Sequence, residues 1–293
     1  MLLLRTVLRL VDGFSGDNHR LFFYGNNMIN TYFKTLTLTS DERGVARVTL
    51  ARQQTLNAFD ETMIAELTEV FDALGNADQT RVIVLAAQGR AFSAGADLRW
   101  MERASQNSAQ ANLEDARRFA HMMQTIQSCS KPVIARVQGA AYGGGVGLCC
   151  ACDIVFAVPE ARFAVSEAKF GILPSVIGPY LNNAVGKRHA LRMALTAELI
   201  DAARAADIGL VHEVVASSQL DATIEKTLVG LLANGPVALR EIKRLFSQLV
   251  MGEIDEEVRE LTAQTIARVR ATAEAGEGFA AFLNKRPAAW VKQ

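Results

Sequence analysis

The sequence predicts an α/β fold that ends in a helical region. Between Thr35 and Val215, apolar runs of strand length alternate with segments whose apolar residues recur at helical spacing. Beyond Val215, four successive segments carry apolar residues at three- and four-residue spacing, with charges between them, as amphipathic helices do. Because strands and helices alternate before that point, we expect a parallel sheet joined by right-handed crossovers.

A hairpin and a helix come first. TLTLT and VARVTLA alternate apolar with polar residues on either side of the turn residues 40–44, which predicts two antiparallel strands. Asp60 is a suitable helix N-cap. The apolar positions that follow it repeat at helical spacing: Met63, Ile64, Leu67, Val70, Phe71 and Leu74. A helix is therefore predicted to begin after Asp60.

Buried strands and a glycine-rich turn follow. RVIVLAA is an apolar run of strand length, as expected of a parallel strand buried on both faces. A helix over 113–126 leads to a second such strand, which begins at Pro132 in PVIARVQG. The segment GAAYGGGVGLCCACD continues into DIVFAV, and ARFAVSE predicts one more short strand.

We divide the chain into three parts. Residues 1–31 form an N-terminal extension that we expect to be poorly ordered. Its apolar start lacks a continuous signal-peptide core and contains Asp12 and Asp17, so an extension ahead of the folded domain is favoured over the alternative, a targeting segment. Residues 32–216 form the α/β core, and residues 217–293 form the C-terminal helical region. The helices of that region are predicted at 220–232, 236–250, 254–269 and 276–283. Their apolar faces must pack against the core or against another subunit, and the sequence leaves both open.

Composition excludes several classes of protein. Among the 293 residues, 31 basic side chains balance 31 acidic ones, which argues against bulk nucleic-acid binding. No apolar run reaches the roughly 18 residues that a membrane-spanning helix needs. The cysteines are Cys129, Cys149, Cys150 and Cys152, and three of them share one apolar segment. We interpret them as buried, reduced thiols of a cytoplasmic protein, and predict neither a metal site nor membrane association.

Two short segments carry the chemistry. AFSAGADL at 91–98 and AAYGGGVGL at 140–148 each place small residues between the end of a strand and the start of a helix. In that geometry backbone N–H groups point toward an anion, although the same pattern serves tight packing or phosphate binding. GGGVG lacks both the dinucleotide fingerprint and a following G-K-[ST], and no G-x-S-x-G hydrolase motif occurs.

Several motifs in order resemble the enoyl-CoA hydratase/isomerase (crotonase) family. They are LNAF, AFSAGADL, KPVIARVQGAAYGGGVGL, ACDIVFA, ARFAVSEAKFGILP, AVGKRHAL, DAARAADIGLVHEVV and FAAFLNKRPAAW. The resemblance runs from about Phe33 to the C-terminus. It implies a crotonase-like spiral of repeated ββα units, with a C-terminal helical region that forms a homotrimer or a dimer of trimers.

The resemblance also implies a site. Two peptide N–H groups, those of Ala96 and Gly144, would hold the thioester oxygen of an acyl-CoA as it becomes an enolate. The resemblance implies no permanently bound cofactor, since coenzyme A is part of the substrate. Coenzyme A would lie near LNAF and AGAD and against a C-terminal lysine of a neighbouring subunit. The candidate residues are Arg52, Leu56, Ala58, Ala94, Asp97, Leu98 and Lys285.

The carboxylates depart from the commonest pattern of that family. Where hydratases with two glutamates carry the first of them, this sequence has Gly147, and the second position is Glu167. The apolar setting FAVSEAKFGIL is expected to raise the pKa of Glu167 toward a value useful for acid/base catalysis. Asp97 begins a predicted helix, so we assign it a capping role as well.

Three functions fit these motifs. GGGVGL with SEAKFGILPSVIGPYL resembles bacterial hydratases of 3-methylglutaconyl-CoA and related branched glutaconyl-CoAs, which favours hydration. A double-bond isomerase, which needs one base, is the alternative, and a non-catalytic RNA- or partner-binding protein is the third. A substrate with a distal carboxylate requires a cationic or amide group in the acyl pocket. The candidates are Arg99, Arg103, Lys169, Asn182 and Asn183.

Overall fold

The chain was analysed as a computed structural model, which describes residues 21–24, 27–30, 33–249 and 252–291. Within these ranges the strands are β1 (Leu21–Tyr24), β2 (Asn27–Asn30), β3 (Leu36–Ser40), β4 (Val45–Leu50), β5 (Val82–Ala87), β6 (Ala91–Ser93), β7 (Val133–Val137), β8 (Ala140–Tyr142), β9 (Ile154–Ala157), β10 (Arg162–Ala164), β11 (Ile200–Asp201) and β12 (Glu213–Val214). The helices are α1 (Glu61–Asn76), α2 (Leu98–Ser105), α3 (Ala109–Gln127), α4 (Gly144–Ala151), α5 (Gly178–Thr196), α6 (Ala202–Asp207), α7 (Leu220–Ala233), α8 (Pro236–Phe246), α9 (Glu256–Arg270) and α10 (Ala273–Leu283).

Two sheets form the α/β core. The larger has the order β12-β9-β7-β5-β4-β3, and the smaller has the order β11-β10-β8-β6. Only the outer pairs β3–β4 and β10–β11 are antiparallel within these two sheets. Every residue of β5 is buried, as its unbroken apolar run predicted. The α/β prediction and the hairpin of β3 and β4 are therefore confirmed.

Helix α1 shows how local sequence sets an element. The Oδ1 atom of Asp60 accepts a hydrogen bond from the N–H of Met63 at 2.9 Å, so the predicted N-cap is confirmed. The six apolar residues predicted to repeat at helical spacing are all buried: Met63, Ile64, Leu67, Val70, Phe71 and Leu74. This apolar face fixes the helix against the rest of the core.

Other elements differ from the prediction. The sequence interpretation did not assign α5, α6, β11 or β12, because two-residue strands, a short helix and a helix whose apolar residues are scattered give little periodic signal. Helix α5 contains a kink at Gly186, whose φ is +75°. Helix α8 ends at Phe246 instead of reaching residue 250. These boundaries depend on tertiary contacts that no local pattern contains.

The two ends of the chain were each predicted to form a separate part. Most of residues 1–31, which were predicted to be poorly ordered, lie outside the described residues, and β1 and β2 pair as an antiparallel hairpin. Helix α7 packs on β5, β7 and β9 of the larger sheet.

The four cysteines are free thiols, and burial raises the pKa of Cys149 well above its ordinary value. Among the described residues, no helix is long and apolar enough to span a membrane.

Candidate active site

The candidate site lies where three parallel strands of the smaller sheet end. Strands β6, β8 and β10 are parallel neighbours. AGAD follows β6, the three glycines Gly143–Gly145 follow β8, and Glu167 comes three residues after β10. Because the carboxyl ends of parallel strands meet at one edge, segments far apart in sequence converge there.

The LNAF turn holds AGAD in place. Leu56 and Asn57 both have a φ of +55°, a left-handed conformation that Asn tolerates better than Leu. The buried Asn57 side chain donates to the carbonyls of Gln88 and Ala91 at 2.8 and 2.9 Å. The N–H of Ala94 donates to the carbonyl of Leu56 at 2.9 Å. These bonds fix the backbone of both turns.

The two small-residue turns touch each other. Gly95 has a φ of +87°, and a Cβ placed on it would lie 2.8 Å from the carbonyl oxygen of Tyr142. A Cβ on Gly144 would lie 2.4 Å from the Cε2 atom of Phe59. Both separations are too short for real atoms, so the close approach of the turns requires glycine at these positions.

The N–H groups of Ala96 and Gly144 are available to a ligand. Ala96 forms a parallel bridge with Phe59, in which Phe59 N–H donates to Gly95 and Asp97 N–H donates to Phe59, each at 2.7 Å. That pattern directs the N–H of Ala96 away from Phe59. Gly144 is the first residue of α4, where a helix leaves N–H groups without an internal acceptor. Neither N–H has a hydrogen-bond acceptor within the described part of the chain.

Glu167 lies beside this donor pair. It begins a short 3-10 helix, Glu167–Phe170, and a Cβ on Gly143 would lie 3.1 Å from its Oε1 atom. Its Oε2 atom is buried and has no hydrogen-bond partner among the described residues. Burial raises the pKa of Glu167 above its ordinary value, and hydrogen bonds from the backbone only partly offset that shift. A carboxyl group whose pKa is raised in this way is better suited to exchange a proton with a substrate than an exposed glutamate is.

The position of Gly147 leaves no room for a second carboxylate. A Cβ at this residue would lie 2.4 Å from the Cγ2 atom of Ile177 and 3.3 Å from the Cε atom of Met123. Ile177 is itself buried at the start of α5. The absence of an acid at residue 147 is therefore built into the packing of α4 against α5.

These groups line one cavity of about 1300 Å³. Trp100, Met101, Phe119 and Ile177 give it a largely apolar wall, and it also includes Tyr142 and Ser166. The predicted residues that line it are Arg52, Leu56, Ala58, Ala94, Ala96, Asp97, Leu98, Gly144 and Glu167. Lys285 is exposed after α10 and is not part of this lining.

Arg52, the predicted phosphate ligand, lies in the cavity wall and forms two ion pairs. Its guanidinium is mostly buried and pairs with Asp97 at 3.0 Å and with Asp60 at 3.1 Å. Burial raises the pKa of Asp97, but hydrogen bonds from the N–H groups of Arg99 and Trp100 and from Arg52 outweigh it, so the pKa lies below its usual value. The capping role of Asp97 on α2 is confirmed. Arg52 and Asp97 thus form an ion pair in the wall of the cavity.

Only one of the candidates for a distal carboxylate faces the cavity. Arg99 lines it, is exposed and makes no ion pair with any described residue. Arg103 pairs with Glu61 at 2.7 Å, outside the cavity lining. The remaining candidates, Lys169, Asn182 and Asn183, are exposed and do not contribute to the wall.

Sequence reasoning missed the contribution of α3. Asn112, Asp115, Ala116 and Phe119 line the cavity and stand at relative positions 0, 3, 4 and 7 of the helix. This spacing puts them on one face. The spacing is visible in the sequence, but its mixture of polar and apolar residues gives no hydrophobic signal.

Comparisons with known proteins place this chain in one family. The sequence model of the family described as enoyl-CoA hydratase/isomerase matches residues 40–293. A putative enoyl-CoA hydratase of Thermus thermophilus is 33% identical over 247 residues, covering 84% of this chain and 97% of the relative. The 2,3-dehydroadipyl-CoA hydratase of Escherichia coli is 32% identical over 253 residues, covering 85% and 96%.

A solved structure shows the same fold. The crystal structure of an enoyl-CoA hydratase from Shewanella pealeana superimposes with a TM-score of 0.85 at 40% sequence identity. The match covers 88% of this chain and 96% of that one. The crotonase-like fold expected from the motifs is thereby confirmed.

Proposed function

We propose that this chain, which belongs to the enoyl-CoA hydratase/isomerase family, adds water across the α,β double bond of an acyl-CoA thioester. One observation carries the proposal. The unpaired, buried Oε2 atom of Glu167 lies in the same cavity as the N–H groups of Ala96 and Gly144. A carboxylate beside two free amide donors suits a reaction that places negative charge on a carbonyl oxygen while a proton moves at the neighbouring carbon.

The steps follow from this arrangement. Addition of water at the β-carbon moves the electrons of the double bond toward the thioester oxygen. The N–H groups of Ala96 and Gly144 stabilise the resulting enolate more than the neutral carbonyl, an effect of about 3 to 4 kcal/mol per donor in related oxyanion holes. Glu167 positions the water and delivers a proton to the α-carbon.

The coenzyme A part of the substrate would pass the LNAF and AGAD turns. Leu56, Ala58, Ala94 and Leu98 line the cavity there, and Leu98 is 67% exposed. Small side chains and an exposed leucine allow a long ligand to approach the backbone. Lys285 is separate from this cavity, so it would reach a phosphate only in the cavity of a neighbouring subunit, within the proposed trimer or dimer of trimers.

The role of Glu167 is tested by Glu167→Gln. The variant keeps the shape of the side chain but cannot exchange a proton, so we expect kcat for hydration to fall by at least about 100-fold with little change in acyl-CoA binding. Glu213→Gln, at an exposed glutamate outside the cavity, is the control and should be unchanged. Turnover of Glu167→Gln within threefold of the wild type would contradict the proposal.

We propose a branched acyl chain with a distal carboxylate, as in 3-methylglutaconyl-CoA. Its support is the motif resemblance and Arg99, a cavity cation without an ion-pair partner in the described ranges. A carboxylate that leaves water needs such a partner. The E. coli relative bears the name of a different acyl chain, 2,3-dehydroadipyl-CoA, so the acyl group varies among relatives of similar identity.

A spectrophotometric screen of enoyl-CoAs tests the substrate. We expect kcat/KM for 3-methylglutaconyl-CoA to exceed that for crotonyl-CoA at least tenfold, a difference of about 1.4 kcal/mol in transition-state binding. Arg99→Gln should remove most of this preference, whereas Arg103→Gln, at an arginine paired with Glu61, should keep it. Preference for crotonyl-CoA would reject the branched dicarboxylate, and bond migration without water addition would favour the isomerase.

A further inference from the structure

We propose that Asp115 on α3 is a second acid/base group of this site and takes the proton of the attacking water, while Glu167 serves the α-carbon. The inference rests on the proposed hydratase function. It assigns chemistry to a helix face that the motif comparison did not single out.

The position of Asp115 follows from its neighbour Phe119. Both side chains line the cavity and lie four residues apart on α3. A Cβ on Gly144 would lie 3.2 Å from the Cζ atom of Phe119, so this ring packs against the proposed oxyanion donor. Residues four apart on a helix have Cβ atoms about 5 to 6 Å apart. Asp115 is therefore one helical turn from the side chain that contacts Gly144.

The chemistry of Asp115 suits a base. Its side chain is 17% exposed and forms an ion pair with Arg118, whose side chain is 57% exposed. The pair places the carboxyl group of Asp115 next to a guanidinium that reaches into solvent. Glu167, in contrast, has no ion-pair partner among the described residues. Two carboxylates in different environments can divide the roles of base and acid.

No other carboxylate of the cavity lining can take this role. Besides Glu167 and Asp115, the described lining contains only Asp97, whose oxygens bind the N-terminus of α2 and the guanidinium of Arg52. A carboxylate at residue 147 is excluded by Ile177. If hydration uses two groups, Asp115 is the second.

The proposed step balances as follows. A water molecule loses a proton to Asp115, and its oxygen forms a bond to the β-carbon. The electron pair of the carbon–carbon double bond moves to form the thioester enolate, which the N–H groups of Ala96 and Gly144 hold. Protonated Glu167 then gives its proton to the α-carbon. The proton on Asp115 returns to Glu167 through solvent, which restores both groups.

Two reactions of the same site separate the two carboxylates. Hydration of an enoyl-CoA would need Asp115 and Glu167, whereas exchange of the α-proton of butyryl-CoA in D2O would need only Glu167 and the donor pair. We expect Asp115→Asn to lower kcat for hydration at least about 100-fold and to leave exchange within threefold of the wild type. Glu167→Gln should lose both reactions.

Matched variants complete the test. Glu114→Gln removes the same charge from the adjacent position of α3, where Glu114 pairs with Arg117, and should leave both reactions unchanged. Asp115→Glu keeps a carboxylate and should recover part of the hydration rate. Arg118→Ala removes the ion-pair partner and should keep hydration within about tenfold of the wild type, because the base is still present.

Each other outcome overturns the assignment. Asp115→Asn with hydration within threefold shows that the carboxylate is not used. Loss of hydration and exchange together, or an equal loss in Arg118→Ala, shows that the ion pair only supports the structure. If the wild type exchanges the α-proton but adds no water to any enoyl-CoA, the hydratase proposal itself fails, which is a different result.

Discussion

The α/β core and the C-terminal helical region bury their side chains in different ways. In the core, β5 is entirely buried and α1 buries six apolar residues. In the C-terminal helical region, α7 buries three leucine or isoleucine side chains, but α8 and α10 bury one residue each and α9 buries none. Phe282 and Leu283 are 83% and 78% exposed. Within this region α7 alone buries several residues, as α1 does in the core.

The difference teaches where each region obtains its stability. The core encloses its own apolar surface and carries the whole described cavity. Polar contacts join the C-terminal helical region to the core. Arg81 donates hydrogen bonds to the carbonyls of Leu232 and Asn234, at the end of α7, and to that of Trp290, after α10. An exposed apolar face of this kind marks an interaction surface in soluble proteins. Three predictions test this contrast.

The largest effect is expected on assembly. We predict a trimer or a dimer of trimers in which the exposed apolar face of α10 is covered. Phe282→Asp combined with Leu283→Asp should dissociate it, because two charges would be buried without partners. Light scattering after size-exclusion chromatography should then report the mass of a monomer.

The control for assembly places an aspartate at an exposed polar position. Gln264→Asp alters an exposed position of α9, where the amide donates a hydrogen bond to Glu260 at 2.6 Å, and should keep the assembly. A wild-type protein that is monomeric at micromolar concentration would contradict the predicted assembly, because the apolar face of α10 would then remain exposed to water.

An intermediate effect is expected where the two regions meet. Arg81→Ala leaves three backbone carbonyls without their donor and should lower the free energy of unfolding by about 2 to 3 kcal/mol, as measured by urea titration. Arg43→Ala breaks an ion pair with Glu225 of α7, in which both side chains are 40% or more exposed, and should cost less than about 1 kcal/mol. Equal losses of unfolding free energy in Arg81→Ala and Arg43→Ala would show that burial does not decide the strength of these contacts.

The smallest effect is expected on the pH dependence of stability. Burial raises the pKa of Glu167 in the folded protein above that in the unfolded chain. The folded protein therefore holds its proton at pH values where the unfolded chain has lost it, and stability falls as pH rises between the two pKa values. Glu167→Gln removes this loss.

Thermal unfolding measures the difference in stability between Glu167→Gln and the wild type as a function of pH. The midpoint of Glu167→Gln should exceed that of the wild type at pH 8, and the difference should vanish below about pH 4, where the carboxyl is protonated in both states. A gain that persists unchanged at low pH would mean that the glutamine improves packing and that charge is not involved.

Much of the site could be predicted from the sequence because its parts are local. Asp60 and Asp97 cap helices within their own segments, as predicted. Ala96, Gly144 and Glu167 each follow a strand, and parallel strands bring such positions together. Their convergence in one cavity agrees with the prediction, while their roles in catalysis stay predictions.

The tertiary structure alone decided which neighbours these residues have. Arg52 pairs with Asp60 and Asp97, eight and 45 residues away, and no local pattern of the sequence indicates these partners. Helical spacing places Asp115 and Phe119 on one face of α3, but only the packing of Phe119 against Gly144 puts that face in the cavity wall. The hydrophobic periodicity of a segment indicates which of its own faces is buried. The residues that line a cavity depend instead on how several segments pack together, and no single segment contains that information.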